Sequence, residues 1–312
     1  MDYLNLINTK YPIRRTKEEK EKFRNYVIEE VNKGNYKANV EINDNHNNVI
    51  IGDINNAKVI FTAHYDTPAT SIIPNLMLPR NVFIGMVYQL GIPILLSILS
   101  LVVAYLISNF IETELSFTVV LYLILYLSSF YLLTRCFKNK NNKNDNTSGV
   151  ATVLSIVSKC QRNDVAFVLF DDEEKGLLGS KAFNRKYKEV LNDKLIINFD
   201  CVGVGNNIIF IAKPGAELHP LYKMLNQNFK SNNDYNVLFY PMKGSLSNSD
   251  YKNFYNGIGV MACKKKKNIF YTSKIHTNKD QEASIKNIEF IVNNIMNFIE
   301  AEVWKKQQKK QM

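Results

Sequence analysis

The sequence predicts an α/β fold in which three αβα layers surround a central mixed, mostly parallel sheet, interrupted by a transmembrane helical hairpin. Segments with the pattern of strands alternate with segments that have the period of helices, which is typical of a sheet covered by helices on both faces. Two long segments between residues 82 and 133 carry no charged residue. We therefore expect a single domain formed by residues 1–81 and 138–312, with residues 82–137 inserted into it as the hairpin.

The predicted elements before the hairpin are one helix and three strands. Residues 17–33 have the apolar period of an amphipathic helix. The segments KANVEI and NNVIIGD predict two short strands, and KVIFTAH, residues 58–64, predicts a buried strand that ends in a polar residue.

The same alternation continues after the hairpin. TSGVATVLSIVSKC predicts a helix capped near Asn146 or Thr147, and EKGLLGSKAFNRKY predicts a second helix. DVAFVLF, residues 164–170, and KLIINFD, residues 194–200, predict buried strands.

The hairpin itself is predicted from length and composition. Residues 82–107 and 115–133 are uncharged, and the second segment is about 28 Å long as a helix, close to the hydrocarbon thickness of roughly 30 Å. Two buried helices of a soluble protein are the alternative, but such helices normally show a polar stripe that is missing here. We therefore expect two membrane-spanning helices of about these bounds.

The basic residues that flank the hairpin predict its orientation. Arg80 precedes the first helix, and Lys138, Lys140 and Lys143 follow the second, whereas the connecting residues 108–114 contain two glutamates and no lysine or arginine. The positive-inside rule then places the domain and both termini in the cytoplasm, on a multi-pass protein of the cell membrane. The first residues also lack the apolar core of a signal peptide.

Charge and cysteine content exclude some classes of partner. The net charge is +10, but no aromatic residues interleave with the lysine runs, so we expect no nucleic-acid partner and an anionic lipid bilayer instead. The four cysteines have no paired spacing, which favours free thiols in a reducing compartment.

Acidic residues and histidines follow the predicted strands. His64 and Asp66 follow the first buried strand, the acidic run 171–174 follows the second, and Asp200 follows the third. Because ligands of open α/β sheets bind beyond the carboxyl ends of the strands, we expect these groups to converge. Carboxylates and imidazoles together suit zinc, in the donor set of a catalytic site.

Two further candidates are Asp145, which precedes a predicted helix, and His276 in KIHTNKD. Taken alone, Asp145 can be explained equally well as the cap of that helix. A single histidine can likewise be explained as a hydrogen-bonded structural residue. His46 and His219 remain in polar segments that resemble loops.

Five short motifs carry a resemblance to a known family. AHYDT at 63–67, DNTSG at 145–149, DEEKGLLGS at 172–180, NFDCVG at 198–203 and IHTNKD at 275–280 resemble the metal-site motifs of the di-zinc aminopeptidase family, metallopeptidase family twenty-eight. The resemblance covers residues 15–81 and 138–303. That family also contains carboxypeptidases that act on acidic peptides, glutaminyl cyclases and catalytically silent receptor ectodomains.

The resemblance implies two zinc ions. Asp145 would bridge both, His64 and Asp200 would complete the first site, and Glu174 and His276 would complete the second. A short link of residues 138–144 joins the hairpin to Asp145, so we expect the metals on the membrane side of the domain.

The resemblance also implies the catalytic roles. Glu173 would be the general base, and Asp66 would orient the imidazole of His64. The peptide bond between Asp145 and Asn146 is expected to be cis.

One segment departs from the family pattern. Residues 245–260 resemble the substrate-side loop, but Tyr251 stands where the family commonly has histidine and Gly259 stands where it commonly has proline. The candidate substrate-binding residues are Ser249, Asp250 and Tyr251.

Taken together, these expectations describe a membrane-anchored zinc exopeptidase acting on peptides, in the first place an aminopeptidase. A non-catalytic membrane scaffold on the same fold is the first alternative, and a deacylase or a cyclase is the second. The complete set of implied ligands and the base favours the enzyme.

Overall fold

The computed structural model describes residues 1–73, 75–135 and 137–301. The end of the predicted domain, residues 302–312, lies outside the described residues. The helices are α1 (Tyr3–Lys10), α2 (Lys17–Val31), α3 (Val82–Phe110), α4 (Leu115–Thr134), α5 (Gly149–Lys159), α6 (Leu178–Tyr187), α7 (Pro214–Leu218), α8 (Pro220–Asn228) and α9 (Ile285–Glu300). The strands are β1 (Ala38–Asn43), β2 (His46–Ile51), β3 (Val59–His64), β4 (Ala69–Thr70), β5 (Leu76–Met77), β6 (Phe137–Lys138), β7 (Val165–Phe170), β8 (Leu195–Phe199), β9 (Asn207–Ala212), β10 (Asn236–Pro241), β11 (Gly257–Lys266) and β12 (Ile269–Ser273).

A mixed sheet of ten strands lies at the centre of the domain. Its order is β1-β2-β7-β3-β8-β11-β12-β5, with β9 paired to β11 and β10 paired to β9. The central strands β7, β3, β8 and β11 run parallel, whereas β1 and β2 join antiparallel at one side and β9, β12 and β5 do so at the other. The predicted α/β fold with a mixed sheet is therefore confirmed, with its parallel part in the middle.

Helices cover both faces of this sheet because successive strand residues point to opposite sides. Phe61 stacks on Phe167 and on Phe199 beneath α5 and α9, in a core built from apolar residues of one face. On the other face Ile60 and Val168 belong to a second core cluster that includes residues of α6. The central strands β3, β7 and β8 are buried on both sides, which explains their nearly continuous apolar sequences.

The second predicted helix after the hairpin begins later than expected. We predicted a helix from residue 174, but α6 begins at Leu178. Gly176 has a φ of 109° and Leu177 a φ of 61°, and such left-handed backbone cannot continue an α-helix. Residues 174–177 therefore form a turn that returns the chain towards β7.

The hairpin forms two long helices that pack against each other. The predicted segments 82–107 and 115–133 are contained in α3 and α4, so both helices are present at nearly the expected bounds. The 18-residue apolar stretches within them have a mean hydropathy of 2.6 and 1.9, and only 11% and 6% of these stretches are buried. Both helices are long and apolar enough to cross a membrane.

Candidate metal centre

The sheet brings the predicted donors to one edge. β7, β3 and β8 are parallel neighbours, so the segments that follow them leave the sheet on the same side. His64 ends β3, Glu173 and Glu174 lie in the loop after β7, and Asp200 follows β8. The expected convergence of these groups is therefore present in the fold.

Asp145 lies at the middle of the group. Its Oδ1 is 3.3 Å from Nε2 of His64, and its Oδ2 is 2.9 Å from Nε2 of His276. Nε2 of His64 also lies 3.8 Å from Oδ1 of Asp200, and Nε2 of His276 lies 3.5 Å from Oε1 of Glu174. The two histidines therefore contact different oxygens of one shared carboxylate.

These contacts define two groups of side chains that could each hold a metal ion. One consists of His64, Asp145 and Asp200, the other of Asp145, Glu174 and His276, and in each group the donor atoms lie within 4.8 Å of one another. A third combination, His64 with Glu173 and Glu174, meets the same distance. The first two groups are those that the resemblance implies, and they share only Asp145.

The hydrogen bonding of these side chains fits a metal. His64 is fully buried, and among the described residues neither of its ring nitrogens has a hydrogen-bond partner, although Oδ1 of Asp66 lies 3.4 Å from Nδ1. Oε1 of Glu174 is buried and likewise has no hydrogen-bond partner among the described residues, although Nε2 of His276 lies 3.5 Å away. Buried polar atoms of this kind cost free energy unless something binds them, and imidazole with carboxylate is a donor set for zinc.

Burial and mutual repulsion perturb the acidic groups strongly. Burial raises the pKa of Glu174 to about 8, with a further rise from Asp145. Burial also raises the pKa of Glu173 well above its usual value, and the neighbouring Glu174 adds to this. Burial alone would lower the pKa of His276, but the neighbouring Glu174 and Asp145 outweigh this effect and raise it to about 10. The buried acids therefore hold protons tightly when no cation is present, and a bound metal ion would compensate the same negative charge.

The chain holds Asp145 through backbone hydrogen bonds. The carboxylate of Asp280 accepts from the N–H of Asn144 at 3.1 Å and from the N–H of Asp145 at 3.0 Å. The Asp145–Asn146 peptide bond is cis, as expected. A Cβ on Gly149 would lie 2.3 Å from Oδ1 of Asn146, so only glycine fits at the start of α5.

Asp66 has a second function besides its contact with His64. Its two carboxylate oxygens accept hydrogen bonds from the N–H groups of Glu173 and Glu174, each at 3.1 Å. Asp66 therefore fixes the loop that carries the predicted base and one predicted ligand. The sequence motif suggested only that it orients His64.

A buried lysine stabilises the start of the same loop. Nζ of Lys20 lies 2.6 Å from Oδ1 of Asp171 and 2.7 Å from Oδ1 of Asp172, and all three side chains are nearly inaccessible. His46, which we left in a loop-like segment, begins β2 and places Nδ1 2.9 Å from Oδ2 of Asp172. His219, the other histidine left over, caps α8 by accepting the N–H of Leu221 at 3.2 Å.

The candidate substrate-binding residues are buried. Ser249 accepts from Nδ2 of Asn198 at 2.8 Å, and Asp250 accepts from the hydroxyl of Ser180 at 2.5 Å. These two hydrogen bonds attach the segment that carries Ser249 and Asp250 to β8 and α6. The neighbouring residues Ser247, Asn248 and Lys252 line the cavity over the site. A direct contact of Ser249, Asp250 or Tyr251 with substrate stays a prediction.

The two departures from the family pattern contact each other. A Cβ on Gly259 would lie 2.6 Å from two carbon atoms of the Tyr251 ring. The tyrosine therefore fits because residue 259 has no side chain. The residues at positions 251 and 259 therefore depend on each other sterically.

The donor groups open into a cavity. A cavity of about 580 Å³ is lined by Asp145, Glu173, Glu174, Asp200 and His276 together with Gln89 of α3. A second cavity of about 570 Å³ shares several lining residues with the first and extends along α3 and α4. The site is therefore open to a substrate and lies on the hairpin side of the domain.

Comparison with known proteins identifies a matching family model and solved structures with a similar fold. Residues 139–298 match the family model described as Peptidase family M28. A search of curated proteins finds no match.

Solved structures share the fold at low sequence identity. The LapA aminopeptidase of Legionella pneumophila superposes with a TM-score of 0.56 at 13% identity, covering 95% of this chain and 69% of that one. A glutaminyl cyclase of Porphyromonas gingivalis superposes with a TM-score of 0.57 at 12% identity, covering 96% of both chains. A glutaminyl cyclase of Fimbriiglobus ruber gives a TM-score of 0.54 at 14% identity, covering 95% of this chain and 92% of that one.

Proposed function

Because the chain belongs to peptidase family M28, we propose that it is a membrane-anchored, zinc-dependent exopeptidase and, in the first place, an aminopeptidase. The observation that carries the proposal is the pair of donor groups that meet at Asp145. In this proposal Asp145 is shared by two zinc ions, His64 and Asp200 hold one of them, and Glu174 and His276 hold the other.

The side chains around the donors suggest how a peptide bond is cleaved. Two zinc ions supply Lewis-acid chemistry that lowers the pKa of water and polarises a carbonyl group. Glu173 then takes the proton of the attacking water and passes it to the leaving amine. Burial raises the pKa of Glu173 well above its usual value, which favours uptake of a proton from water by this carboxylate. Asp66 keeps Glu173 in place through its backbone N–H.

The hairpin supplies the membrane anchor in this proposal. α3 and α4 cross the bilayer, residues 82–137 form an insertion between the two parts of a single catalytic domain, and that domain faces the cytoplasm. The apolar surface of both helices and the basic residues at their ends support this arrangement. Labelling of a cysteine introduced at Glu112 in intact cells tests the orientation. Reaction without permeabilisation is expected, and reaction only after permeabilisation would reverse the topology.

A cyclase is the second candidate. The observation that favours it is that the Porphyromonas gingivalis glutaminyl cyclase matches this fold over 96% of both chains. A deacylase and a non-catalytic scaffold on the same fold are further alternatives.

A substrate panel separates these functions. The protein is purified in detergent, stripped with a chelator, reloaded with zinc and given peptides with free, acetylated and glutaminyl N-termini. Release of the first amino acid from free N-termini only, abolished in Glu173→Gln, is the expected result. Cyclisation of glutaminyl peptides without hydrolysis would establish the cyclase, and removal of the acetyl group the deacylase. No turnover of any peptide by the reloaded wild type would establish the scaffold.

A further inference from the structure

The cavity at the active site has one wall that belongs to the hairpin. The cavity of about 570 Å³ is lined by Glu174 and His276 of the site and by Ile92, Pro93 and Phe130 of α3 and α4. The hairpin is therefore not only attached to the domain: its side chains face the same space as two predicted metal ligands.

The lining changes in character from one end of this space to the other. Beside the site it contains charged groups such as Glu174 and Lys175, whereas along the hairpin it contains the apolar Ile92, Pro93 and Phe130, with Tyr131, Thr134 and Arg135 at the end of α4. A ligand that fills the space is consequently polar at one end and apolar at the other.

Gln89 on α3 is one of the residues that the two cavities share. It lines both the cavity over the metal donors and the cavity along the hairpin. An amide side chain can donate and accept hydrogen bonds, as a peptide backbone requires. Gln89 is thus placed to bind a peptide chain between the site and the hairpin.

The apolar end of the space reaches the level of the bilayer. α4 is about 30 Å long, which equals the hydrocarbon thickness, so its whole length is needed to cross the membrane. Phe130 lies four positions before the end of α4 at Thr134, about 6 Å along the helix axis. Pro93 on α3 lines the same space. The apolar lining therefore begins at the hydrocarbon boundary and not in water.

We propose that the hairpin forms half of the substrate site, and that the substrate is an amphiphilic peptide whose apolar end lies in the bilayer while its free N-terminus reaches the metals. This inference rests on the proposed aminopeptidase function. The substrate approaches along the membrane surface, its apolar part lies against Ile92 and Phe130, and Gln89 binds the backbone between them.

A pair of matched peptides tests the substrate class. Both have the same cleavable N-terminus, one ends in a plain amide and the other in a hexadecylamide, and the zinc-loaded enzyme is reconstituted in lipid nanodiscs. We expect kcat/KM to be at least about tenfold higher for the tailed peptide, which is the effect of burying only about two methylene groups. Equal kcat/KM for both peptides would overturn the inference and leave the aminopeptidase function intact.

Partition of the tail into the nanodisc could raise the rate by itself, so a pair of variants controls for it. Ile92→Trp fills the apolar end of the cavity, whereas Leu95→Trp adds the same bulk on the same helix at a residue that is 59% exposed. We expect Ile92→Trp to lower kcat/KM for the tailed peptide more than for the plain one, and Leu95→Trp to change neither. If Ile92→Trp and Leu95→Trp lowered kcat/KM for the tailed peptide equally, lipid and not substrate would occupy this space, and the inference would be overturned.

Photocrosslinking gives a result that does not depend on turnover. A benzophenone at the end of the tail is crosslinked to the zinc-loaded Glu173→Gln variant in nanodiscs, and the adducts are mapped by mass spectrometry. Adducts at Ile92, Pro93 or Phe130 would support the inference, whether or not the wild type cleaves the peptide. Failure of the wild type to cleave any peptide would refute only the proposed function. Adducts confined to the outer positions Leu95 and Leu127 would overturn the inference.

Discussion

At the carboxyl edge of the sheet charged side chains are buried, whereas in the hairpin large apolar side chains are exposed. His64, Asp145 and Asp200 are 0%, 4% and 7% exposed, and Leu95 and Leu127 are 59% and 62% exposed. The core between β-strands and helices follows the ordinary rule of apolar burial. The two regions thus depart from that rule in opposite directions.

Each departure costs free energy unless a partner of matching chemistry compensates for it. Buried carboxylates and imidazoles require cations or hydrogen bonds. A continuous apolar surface along two helices calls for an apolar partner, which in the proposed function is lipid, because soluble proteins rarely leave such a patch in water. The two regions meet at the cavity along α3 and α4, so the candidate metal donors and the exposed apolar helices lie next to each other in this fold.

The largest expected effect comes from removing the base at the carboxyl edge. Glu173→Gln keeps the shape of the side chain but cannot accept a proton, so we expect kcat to fall by about 10²- to 10⁴-fold. The zinc content should stay unchanged, because Glu173 is not one of the proposed ligands. Glu217→Gln on α7 is the control and should match the wild type. A Glu173→Gln enzyme with normal kcat, or one that has lost its zinc, would contradict the assignment.

The next effect concerns the buried charges that support the site. Lys20→Met leaves the buried Asp171 without a cation and leaves Asp172 with only His46 and the exposed Lys175, so we expect the free energy of unfolding to fall by about 3–5 kcal/mol. The matched control is Lys22→Met on the same helix, whose exposed pair with Glu18 is screened by solvent and should stabilise the fold little. Thermal unfolding in detergent measures both. Equal melting temperatures for the two variants would show that the buried network does not stabilise the fold.

The hairpin side of the comparison is tested by a charge in the middle of α3. Leu99→Arg places a cation near the centre of the expected span, at a cost of about 2.5–3.5 kcal/mol for membrane insertion. The fraction of protein that resists alkaline extraction from membranes should therefore drop. Leu218→Arg on α7, at a residue that is 81% exposed, should leave that fraction unchanged. If Leu99→Arg is also without effect, α3 does not lie in lipid.

A smaller effect is expected from the residue that fixes the loop after β7. Asp66→Asn replaces one of the two oxygens that accept the N–H groups of Glu173 and Glu174 by an amide donor. Supporting residues of this kind cost about 10- to 100-fold in activity or metal affinity when they are changed. Zinc competition with a chelator and kcat measure the two quantities. The surface variant Asp53→Asn is the control, and an Asp66→Asn enzyme as active as this control would exclude the supporting role.

Parts of this arrangement could be predicted from the sequence because they depend on local patterns. Apolar runs gave the central strands and both helices of the hairpin, and the rule that ligands bind at strand ends predicted where His64 and Asp200 meet. The late start of α6 could not be seen, because left-handed backbone at Leu177 is not encoded by hydrophobic period.

Other features depend on contacts between distant parts of the chain. Asp280 lies in the motif IHTNKD, but nothing in that motif shows that its carboxylate accepts the backbone N–H groups of Asn144 and Asp145. A signal did exist for Lys20: it shares the apolar face of α2 with Phe23 and Val27, a position where a lysine needs a buried acidic partner. The identity of that partner follows only from the three-dimensional fold.

The number of zinc ions bound by wild type and ligand variants tests the central claim most directly. If two metals share Asp145, wild type binds about two zinc ions per chain, Asp200→Ala and Glu174→Ala each keep about one, and Asp145→Ala binds far less than either. Elemental analysis after gel filtration gives these values, and a normal elution volume shows that each variant is folded. An Asp145→Ala protein that is folded and still binds two zinc ions would contradict the account.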